Sequence, residues 1–511
     1  MKKTLSILLA LVLVIGLFAG CGPKQSGEPQ GGVSGNSAED TVRIGIVLSV
    51  DSFEPMTAIQ REEQYILANV FDTLLELKDG EYVGELAETF EPNEDGTVVT
   101  VKLREDVTFH NGEKLTTKDI AYTYDHMKDY SFYANDATYY DHTEIIDEYN
   151  CKIYATAPNP LFMMTLATVD IVNEKAITEL GADHRFSPVG TGPYKFVSYD
   201  GFNNVMLEAN EDYFGGVPEI KHLNYRIFGD EQTMTMALEA DEVDMLSFVQ
   251  PANAIRFEGN SKYNVTWKAA DGVKLILFNT TQAPFDKKEV RQAISYAIDR
   301  EAITLIVGEG KGKAWDAFYS EKMAGAPDYD ALPHYTYDLE KAKELMAQAG
   351  YPDGFTLEEP VRVIQTEEKM AVTLQQQLSQ IGINFEVEVV EANTLFNNYL
   401  FVLNFNMMPF SLSTEIHDMA YVAQYYDGLS QMPDMTGYKS DEVKALSQQA
   451  KETTDLAERK ALYTQIFTIA YEDLPICPVM ASEVAQISKV GLIDDEKVST
   501  EIWGTNLHWE K

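Results

Sequence analysis

The sequence is poor in cysteine, and this shortage excludes several classes of protein. Only 3 cysteines occur among 511 residues. Cys21, Cys151 and Cys477 form no CxxC pair, which excludes a zinc ribbon and a thioredoxin-type redox motif. Cys151 and Cys477 lie in apolar, strand-like stretches. We therefore predict two buried free thiols rather than a disulfide between them.

Positive charge is also scarce. The chain has 40 Lys and Arg residues against 81 Asp and Glu residues, and its formal net charge is −41. This excess of negative charge argues against nucleic acid as a partner and against binding of anionic lipid through a polybasic segment. An acidic surface that resists association is the simplest interpretation, so we expect a monomer.

Catalytic and metal-binding motifs are missing as well. The sequence has no GxSxG elbow, no HExxH pair and no P-loop. Its 8 histidines are scattered singly, and none forms a metal-binding pair at helical spacing. We therefore expect no enzyme activity, no cofactor and no metal site. The length and a hydrophobic content of 45% suit a globular protein of two or three folding units.

The N-terminus reads as an export signal with a lipid attachment site. Two lysines precede a largely apolar run from Leu5 to Phe18, which is too short to span a bilayer. The run ends in LFAGC, which resembles a bacterial lipobox and predicts lipidation of Cys21. Residues 22–39 are rich in Gly, Ser, Gln and Pro and predict a flexible tether. Membrane contact is then expected only through the lipid anchor.

The central stretch, 275–303, predicts a buried strand that leads into an amphipathic helix. Leu275 to Phe278 is a short apolar run. Pro284 interrupts regular structure, and Asp286 is predicted to be the helix N-cap. Apolar residues then recur at helical spacing, namely Val290, Ile294, Ala297 and Ile298.

Other local signals surround this stretch. Thr116 and Asp119 form a capping pair that predicts a helix start. Gly190 and Gly192 permit a tight turn before a strand. Asp338 is predicted to cap a helix that ends near residue 350. Helices therefore alternate with strands on both sides of the central stretch, which predicts two α/β lobes.

The ordered series of motifs is more specific than any one of them. The chain contains, in this order, FHNG at 109–112, PVGTGPYKF at 188–196, YFGG at 213–216, the stretch 275–303, TGYKS at 436–440 and LPICPV at 474–479. This series resembles extracellular solute-binding proteins of family 5, the oligopeptide, dipeptide and nickel type of ABC-transporter binding lipoprotein.

The resemblance implies an α/β, periplasmic-binding-protein-like fold: two lobes joined by a hinge, with an extra subdomain inserted in the first lobe. The implied division is a signal peptide (1–20), a lipidated tether (21–40), lobe I (41–76, 188–273 and 479–511), the inserted subdomain (77–187) and lobe II (274–478). The implied place is the extracellular face of the bacterial cytoplasmic membrane, or the periplasmic side if an outer membrane is present.

The resemblance also implies a ligand site between the lobes with three walls. One wall is the lobe-crossing stretch, with Lys274 and Leu275. A second wall follows the first strand and includes Gln60 and Arg61. The planar guanidinium of Arg61 is expected to pair with a ligand carboxylate. The third is the stretch from Asn404 to Ser413, and its candidate residues are Asn404, Asn406, Met407, Met408, Phe410 and Ser411.

The third wall departs from the family pattern. Peptide binders carry a Trp and then an Asp that pairs with the ligand ammonium, and the stretch from Asn404 to Ser413 has neither. A buried ammonium without a counter-charge is costly. Glu415 or Asp418 is a candidate substitute; otherwise the ligand is N-blocked, longer than the cleft, or not a peptide.

The implied function is capture of oligopeptide-like ligands for the permease subunits of an ABC importer. Two alternatives stay open at this point. The same fold binds another solute, such as an oligosaccharide, an opine-like compound or a metal chelate, or it serves as a receptor for signalling peptides.

Overall fold

The structure is a computed structural model of the chain. It describes residues 40–48, 50, 52–58, 61–78, 81–130, 133, 135–320, 323–413, 418–429, 434–495 and 502–510. The predicted signal peptide, the tether and Cys21 lie outside the described residues. Within the described ranges, no helix has the length and apolarity needed to cross a membrane.

The strands are β1 (Thr41–Val47), β2 (Leu75–Lys78), β3 (Glu81–Gly84), β4 (Ala87–Pro92), β5 (Val98–Leu103), β6 (Tyr140–Ile145), β7 (Asn150–Ala155), β8 (Tyr194–Tyr199), β9 (Asn204–Ala209), β10 (His222–Phe228), β11 (Met245–Val249), β12 (Tyr263–Phe278), β13 (Lys313–Ala314), β14 (Phe355–Thr356), β15 (Val361–Val363), β16 (Ile383–Asn384), β17 (Val387–Val389), β18 (Met407–Ser413), β19 (Ile476–Lys489), β20 (Leu492–Asp494) and β21 (Leu507–Trp509).

The α-helices are α1 (Arg61–Leu67), α2 (Thr117–His126), α3 (Pro160–Thr168), α4 (Glu174–Leu180), α5 (Glu231–Glu239), α6 (Pro251–Ala254), α7 (Lys288–Ala297), α8 (Arg300–Val307), α9 (Leu339–Gln348), α10 (Glu368–Leu378), α11 (Ala392–Leu395), α12 (Met419–Asp427), α13 (Asp441–Glu452) and α14 (Leu456–Asp473). Short 3₁₀ turns connect several of them, and one of these turns is Asp136–Thr138.

A mixed sheet organises the fold. Its strand order is β18-β12-β19-β11-β1-β10-β9-β8, and β13 also pairs with β19. β1 runs parallel to β10 and β11, whereas β12 runs antiparallel to both β18 and β19. A separate four-stranded antiparallel sheet, β4-β5-β7-β6, lies in the predicted inserted subdomain.

Two long strands connect two separate hydrophobic cores. β12 has 16 residues and β19 has 14, and they pair along most of their lengths. The first half of β12 packs against a core that contains Leu246 and Ile487. Its second half contributes Ile276 and Phe278 to a different core, formed with α7 and α10. The strand pair therefore carries the chain from one packed unit to another.

The pairing of β12 with β19 is interrupted at the crossing. The register shifts between Ala269 and Val273, and again between Lys274 and Leu275. An irregularity of this kind bends a strand and increases its local twist. The crossing is thus the least regular part of the ladder, as expected of a hinge.

Several local predictions are confirmed. Thr116 caps α2 through a capping box with Asp119, and Asp338 caps α9. Cys151 and Cys477 are buried free thiols. At Gly190, a Cβ would collide with the backbone carbonyl of Val70, so only glycine fits this close approach.

The predicted N-cap at Asp286 is wrong. The backbone N–H of Asp286 bonds to the carbonyl of Gln282 at 2.9 Å, so Asp286 belongs to the preceding turn. Lys287 is in the extended conformation at the N-cap position, and α7 begins at Lys288. The apolar spacing from Gln64 to Leu77 predicts one helix, but α1 ends at Leu67 and β2 begins at Leu75.

Candidate functional site

The edge strand β18 lies beside the crossing and carries most of the predicted third wall. β18 pairs with β12, and at the crossing Ser413 is opposite Gly272 and Ser411 is opposite Lys274. Among the described residues, β18 ends the path of the large sheet, with β12 as its one hydrogen-bonded neighbour. Its other edge is therefore available to accept a further strand.

Alternation along β18 separates its residues between two faces. Leu275 and Phe410 are opposite each other, and both are buried in the largest core together with Met408. Met407 points the other way and is buried in the core formed with α7 and α10. The two methionines, both candidates for the third wall, pack the interior of the protein.

Lys274 and Ser411 form a charged cluster with Glu367. Lys274 Nζ donates to the two Glu367 oxygens at 2.9 and 3.0 Å, and it lies 3.2 Å from Ser411 Oγ. Ser411 Oγ also donates to Glu367 at 2.8 Å. The Glu367 side chain is only 3% exposed, and this lysine supplies the counter-charge beside it. The cluster is neutral as a whole and its donors are already used.

Asn404 and Asn406 lie at the far end of β18. Phe278, at that end of β12, is about 20 Å along the strand from Gly272 at the crossing. The two asparagines line an open pocket of 390 Å³ on lobe II, together with Gln282, Tyr351 and other residues. The structure therefore does not bring them together with Ser411 and Lys274.

Asp418 is held by the protein itself. Its carboxylate caps α12 by accepting the N–H of Ala420 at 2.8 Å, and it pairs with Arg459 at 2.6 Å. Burial raises the pKa of Asp418, and the neighbouring guanidinium of Arg459 opposes that shift. Burial also raises the pKa of Tyr82, which feels the charges of Asp418 and Arg459. This carboxylate is thus already matched with a counter-charge.

Three predicted residues have no described geometry. Gln60 and Glu415 lie outside the described residues, and Arg61 begins α1 with a side chain that the structure does not describe. Their roles remain predictions. Within the described parts of the chain, no group of three or more His, Cys, Asp or Glu side chains is arranged to hold a metal ion.

One contact between the inserted segment and α12 is not indicated by any sequence pattern. Tyr139, which follows the turn Asp136–Thr138, donates its hydroxyl hydrogen to Gln424 Oε1 at 3.4 Å. Both side chains are buried. These residues are 285 positions apart, and neither belongs to a motif. Only the folded arrangement reveals that they are in contact.

Comparisons with known proteins agree with this architecture. A sequence model of the family described as bacterial extracellular solute-binding proteins, family 5 middle, matches residues 81–434. The glutathione-binding protein GsiB of Pectobacterium atrosepticum is 28% identical over 369 residues, covering 70% of this chain and 70% of that protein.

Two solved structures show the same fold. The ABC transporter substrate-binding protein CtaP of Listeria monocytogenes has a TM-score of 0.82 at 23% identity, covering 92% of this chain and 99% of that one. The oligopeptide-binding protein AppA of Bacillus subtilis, solved with a nonapeptide, has a TM-score of 0.74 at 22% identity, covering 92% and 99%.

These likenesses confirm the predicted α/β, periplasmic-binding-protein-like fold. The matched family consists of binding proteins, not enzymes, and its members serve ABC importers outside the cytoplasm. Its model covers well over half of this chain. The chain therefore belongs to the bacterial extracellular solute-binding proteins of family 5.

Proposed function

We propose that this protein captures oligopeptide-like ligands between its two lobes and delivers them to the permease subunits of an ABC importer. Cys21 carries a lipid anchor, and the protein acts on the extracellular face of the cytoplasmic membrane, or on the periplasmic side where an outer membrane exists. The predicted lobe boundaries are part of this proposal.

The observation that carries the proposal is the pair of long strands joining two hydrophobic cores. The irregular crossing between Ala269 and Val273 lies between these two cores and can absorb a change in their relative orientation. A ligand held between them favours the closed arrangement, and a transporter can read that population shift.

Two observations support a peptide as the ligand. The outer edge of β18 offers backbone donors and acceptors near the crossing, which suits the addition of an extended peptide as a further strand. A relative is named for glutathione, itself a tripeptide, and AppA was solved with a nonapeptide. Ser411 and Lys274, beside this edge, then belong to the ligand-facing wall.

Native mass spectrometry of the full chain, purified gently in detergent, tests the proposal. The expected result is an envelope of bound peptide masses that disappears on denaturation. A single non-peptide adduct would contradict peptide capture and favour an opine-like compound, a saccharide or a chelate. A single peptide species, rather than an envelope, would favour a receptor for a signalling peptide.

A thermal-shift series provides an independent check. A ligand that binds only the folded protein raises the melting temperature in proportion to the logarithm of its concentration. Glutathione and short unmodified peptides are expected to do so. The mass of the N-terminal fragment tests the anchor, because replacing Cys21 with Ser must abolish any added lipid mass.

A further inference from the structure

A glycine-rich loop lies beside the crossing. Residues 308–312 (GEGKG) join α8 to β13, and we call them the bridging loop. The next residue, Lys313, is opposite Ala481 of β19, and Ala481 has Val273 of β12 on its other side. The bridging loop lacks the spacing of a phosphate-binding P-loop, so its lysine needs another explanation.

The bridging loop is held in place by the strands and helices around it. The Gly312 N–H donates to the Glu483 carboxylate on β19 at 3.1 Å, and Glu309 pairs with Lys369 on α10. Gly312 has a φ of +94°, and a Cβ there would lie 2.5 Å from the carbonyl oxygen of Ala481, so only glycine fits this approach. The position of the loop is therefore set by β19 and α10 together.

Lys311 of the bridging loop makes two contacts at once. Its Nζ donates to Glu258 Oε1 at 2.6 Å and lies 4.3 Å from the centroid of the Trp267 ring. Trp267 Nε1 donates to the same oxygen of Glu258 at 2.8 Å. The hydrogen bonds from Lys311 and Trp267 lower the pKa of Glu258. The cation–π contact adds to the ion pair, so the lysine is held more firmly than in an ordinary surface pair.

These three residues belong to two different hydrophobic cores. Phe257, next to Glu258, is buried in the core against which the first half of β12 packs, and Trp267 packs against the same core. Ile303, on the helix that leads into the bridging loop, is buried in the core formed with α7 and α10. Lys311 therefore joins the two packed units through side chains, in addition to the main chains of β12 and β19.

A side-chain connection of this kind resists rotation about the crossing. The irregular pairing between Ala269 and Val273 allows the strands to bend, whereas the bond from Lys311 to Glu258 links the two units outside the β12–β19 ladder. An N–H···O hydrogen bond is lost once the two atoms separate by about 1 Å beyond their normal distance. A rotation that moves the loop this far from Glu258 therefore breaks the bond and weakens the ring contact.

We propose that Lys311, Glu258 and Trp267 form a latch that holds the two lobes in the orientation of this structure and limits their rotation. The inference rests on the lobe movement in the proposed function and adds the element that restrains it. Opening the latch leaves both cores intact, so it changes the population of lobe orientations rather than the fold.

Pulsed electron paramagnetic resonance on the full chain, stripped of bound material, tests the latch. Met236→p-acetylphenylalanine on α5 and Ala347→p-acetylphenylalanine on α9 place one spin label in each unit at exposed helix positions, without labelling any cysteine. The measurement is the distribution of distances between the two labels. The wild-type protein is expected to show one main distance.

Lys311→Met keeps the length of the side chain and removes its charge. We expect the ratio of other distances to the main one to rise about fivefold, which is the scale of one exposed ion pair with a cation–π contact. Glu258→Gln should act in the same direction. The double variant should exceed neither single variant by much, because both changes open the same latch. Lys311→Arg keeps the charge over the ring and should preserve the wild-type distribution.

Lys460→Met is the matched control, because it removes a lysine from an exposed pair with Asp328 at 2.7 Å that does not involve the bridging loop. Its distance distribution should equal that of the wild type. A Lys311→Met protein with the wild-type distribution would overturn the latch, and so would additive effects of Lys311→Met and Glu258→Gln. Native mass spectrometry of the same samples with added peptides scores peptide capture separately. Distances that respond as expected in a protein that retains no peptide would contradict the proposed function and support the latch.

Discussion

The two sides of the proposed cleft treat their charges differently. Lys274 is matched by Glu367, and Asp418 is matched by Arg459, with short contacts in both cases. In the inserted segment, Asp136 accepts a hydrogen bond from the hydroxyl of Thr165 and has no ion pair with a cationic side chain among the described residues. Matched buried charges stabilise a fold, whereas unmatched ones are candidates for binding. Residue type alone does not distinguish the two, because both sides contain carboxylates.

The largest effect is expected where a matched pair also begins a helix. Asp418→Ala removes the partner of buried Arg459 and the N-cap of α12 together. We expect the free energy of unfolding to fall by about 3–5 kcal/mol, measured by urea denaturation. Retention of peptides in native mass spectrometry should survive in the protein that remains folded. Loss of that retention with unchanged stability would make Asp418 a ligand contact.

The second matched pair should respond less. Glu367→Gln leaves Lys274 beside an uncharged amide, but the lysine side chain is 17% exposed and retains some hydration. We expect a loss of about 2–3 kcal/mol in the free energy of unfolding. Glu340→Gln breaks an exposed helix pair with Lys343 and is the control, with an expected change below about 0.5 kcal/mol. Equal effects of the two changes would contradict the burial argument.

A pH dependence provides a third comparison, within the predicted inserted subdomain. Burial away from water and the nearby charge of Asp72 raise the pKa of Glu85 to about 8. The rise occurs even though the hydroxyl and backbone N–H of Thr73 donate hydrogen bonds to the Glu85 carboxylate at 2.7 and 3.0 Å. The folded protein then holds a proton that the unfolded chain releases near pH 4.3. Stability should therefore decrease as the pH rises from about 4.3 to about 8, and level off above that.

Glu85→Gln should flatten this part of the stability curve. The measurement is the melting temperature in buffers from pH 5 to pH 9. Glu94→Gln, at an exposed turn, should leave the slope unaltered. A wild-type protein whose stability rises across this range would show that the Glu85 carboxylate is ionised in the folded state.

The smallest effect is expected at the contact itself. Tyr139→Phe removes the hydroxyl that joins the inserted segment to α12 and accepts from Asn135. A loss of about 1 kcal/mol in the free energy of unfolding is expected. Tyr154→Phe removes an exposed hydroxyl that bonds to Glu144 in the same subdomain, and it should change the stability by less than about 0.5 kcal/mol.

Local features of this fold could be predicted from the sequence, and long-range pairings could not. The capping box at Thr116 depends on residues within one helical turn, so its pattern was sufficient. The N-cap prediction at Asp286 failed because the Asp286 N–H donates a hydrogen bond to the Gln282 carbonyl, which places Asp286 in the preceding turn. In the sequence alone, Thr116 and Asp286 both have the features of a helix N-cap.

The candidate site shows the same limit more strongly. Asn404 and Ser411 were grouped as one wall because they are close in sequence, yet an extended strand carries them far apart. Asp418 is a candidate anchor in the sequence because nothing there shows that its charge is already matched. Its partner, Arg459, lies 41 positions away and belongs to no motif. The contact between Tyr139 and Gln424 is not predictable from the sequence, because only tertiary packing brings their segments together.

The crossing formed by β12 and β19 has a mechanical consequence. On β12, Ala270 to Gly272 face a single residue of β19, so their amides fall outside the regular ladder while the pairing continues on both sides. Torsional compliance is then concentrated within three residues of a 16-residue strand. Amide hydrogen exchange should show a narrow, fast band there between two slow ones, and a ligand that closes the lobes should slow that band alone.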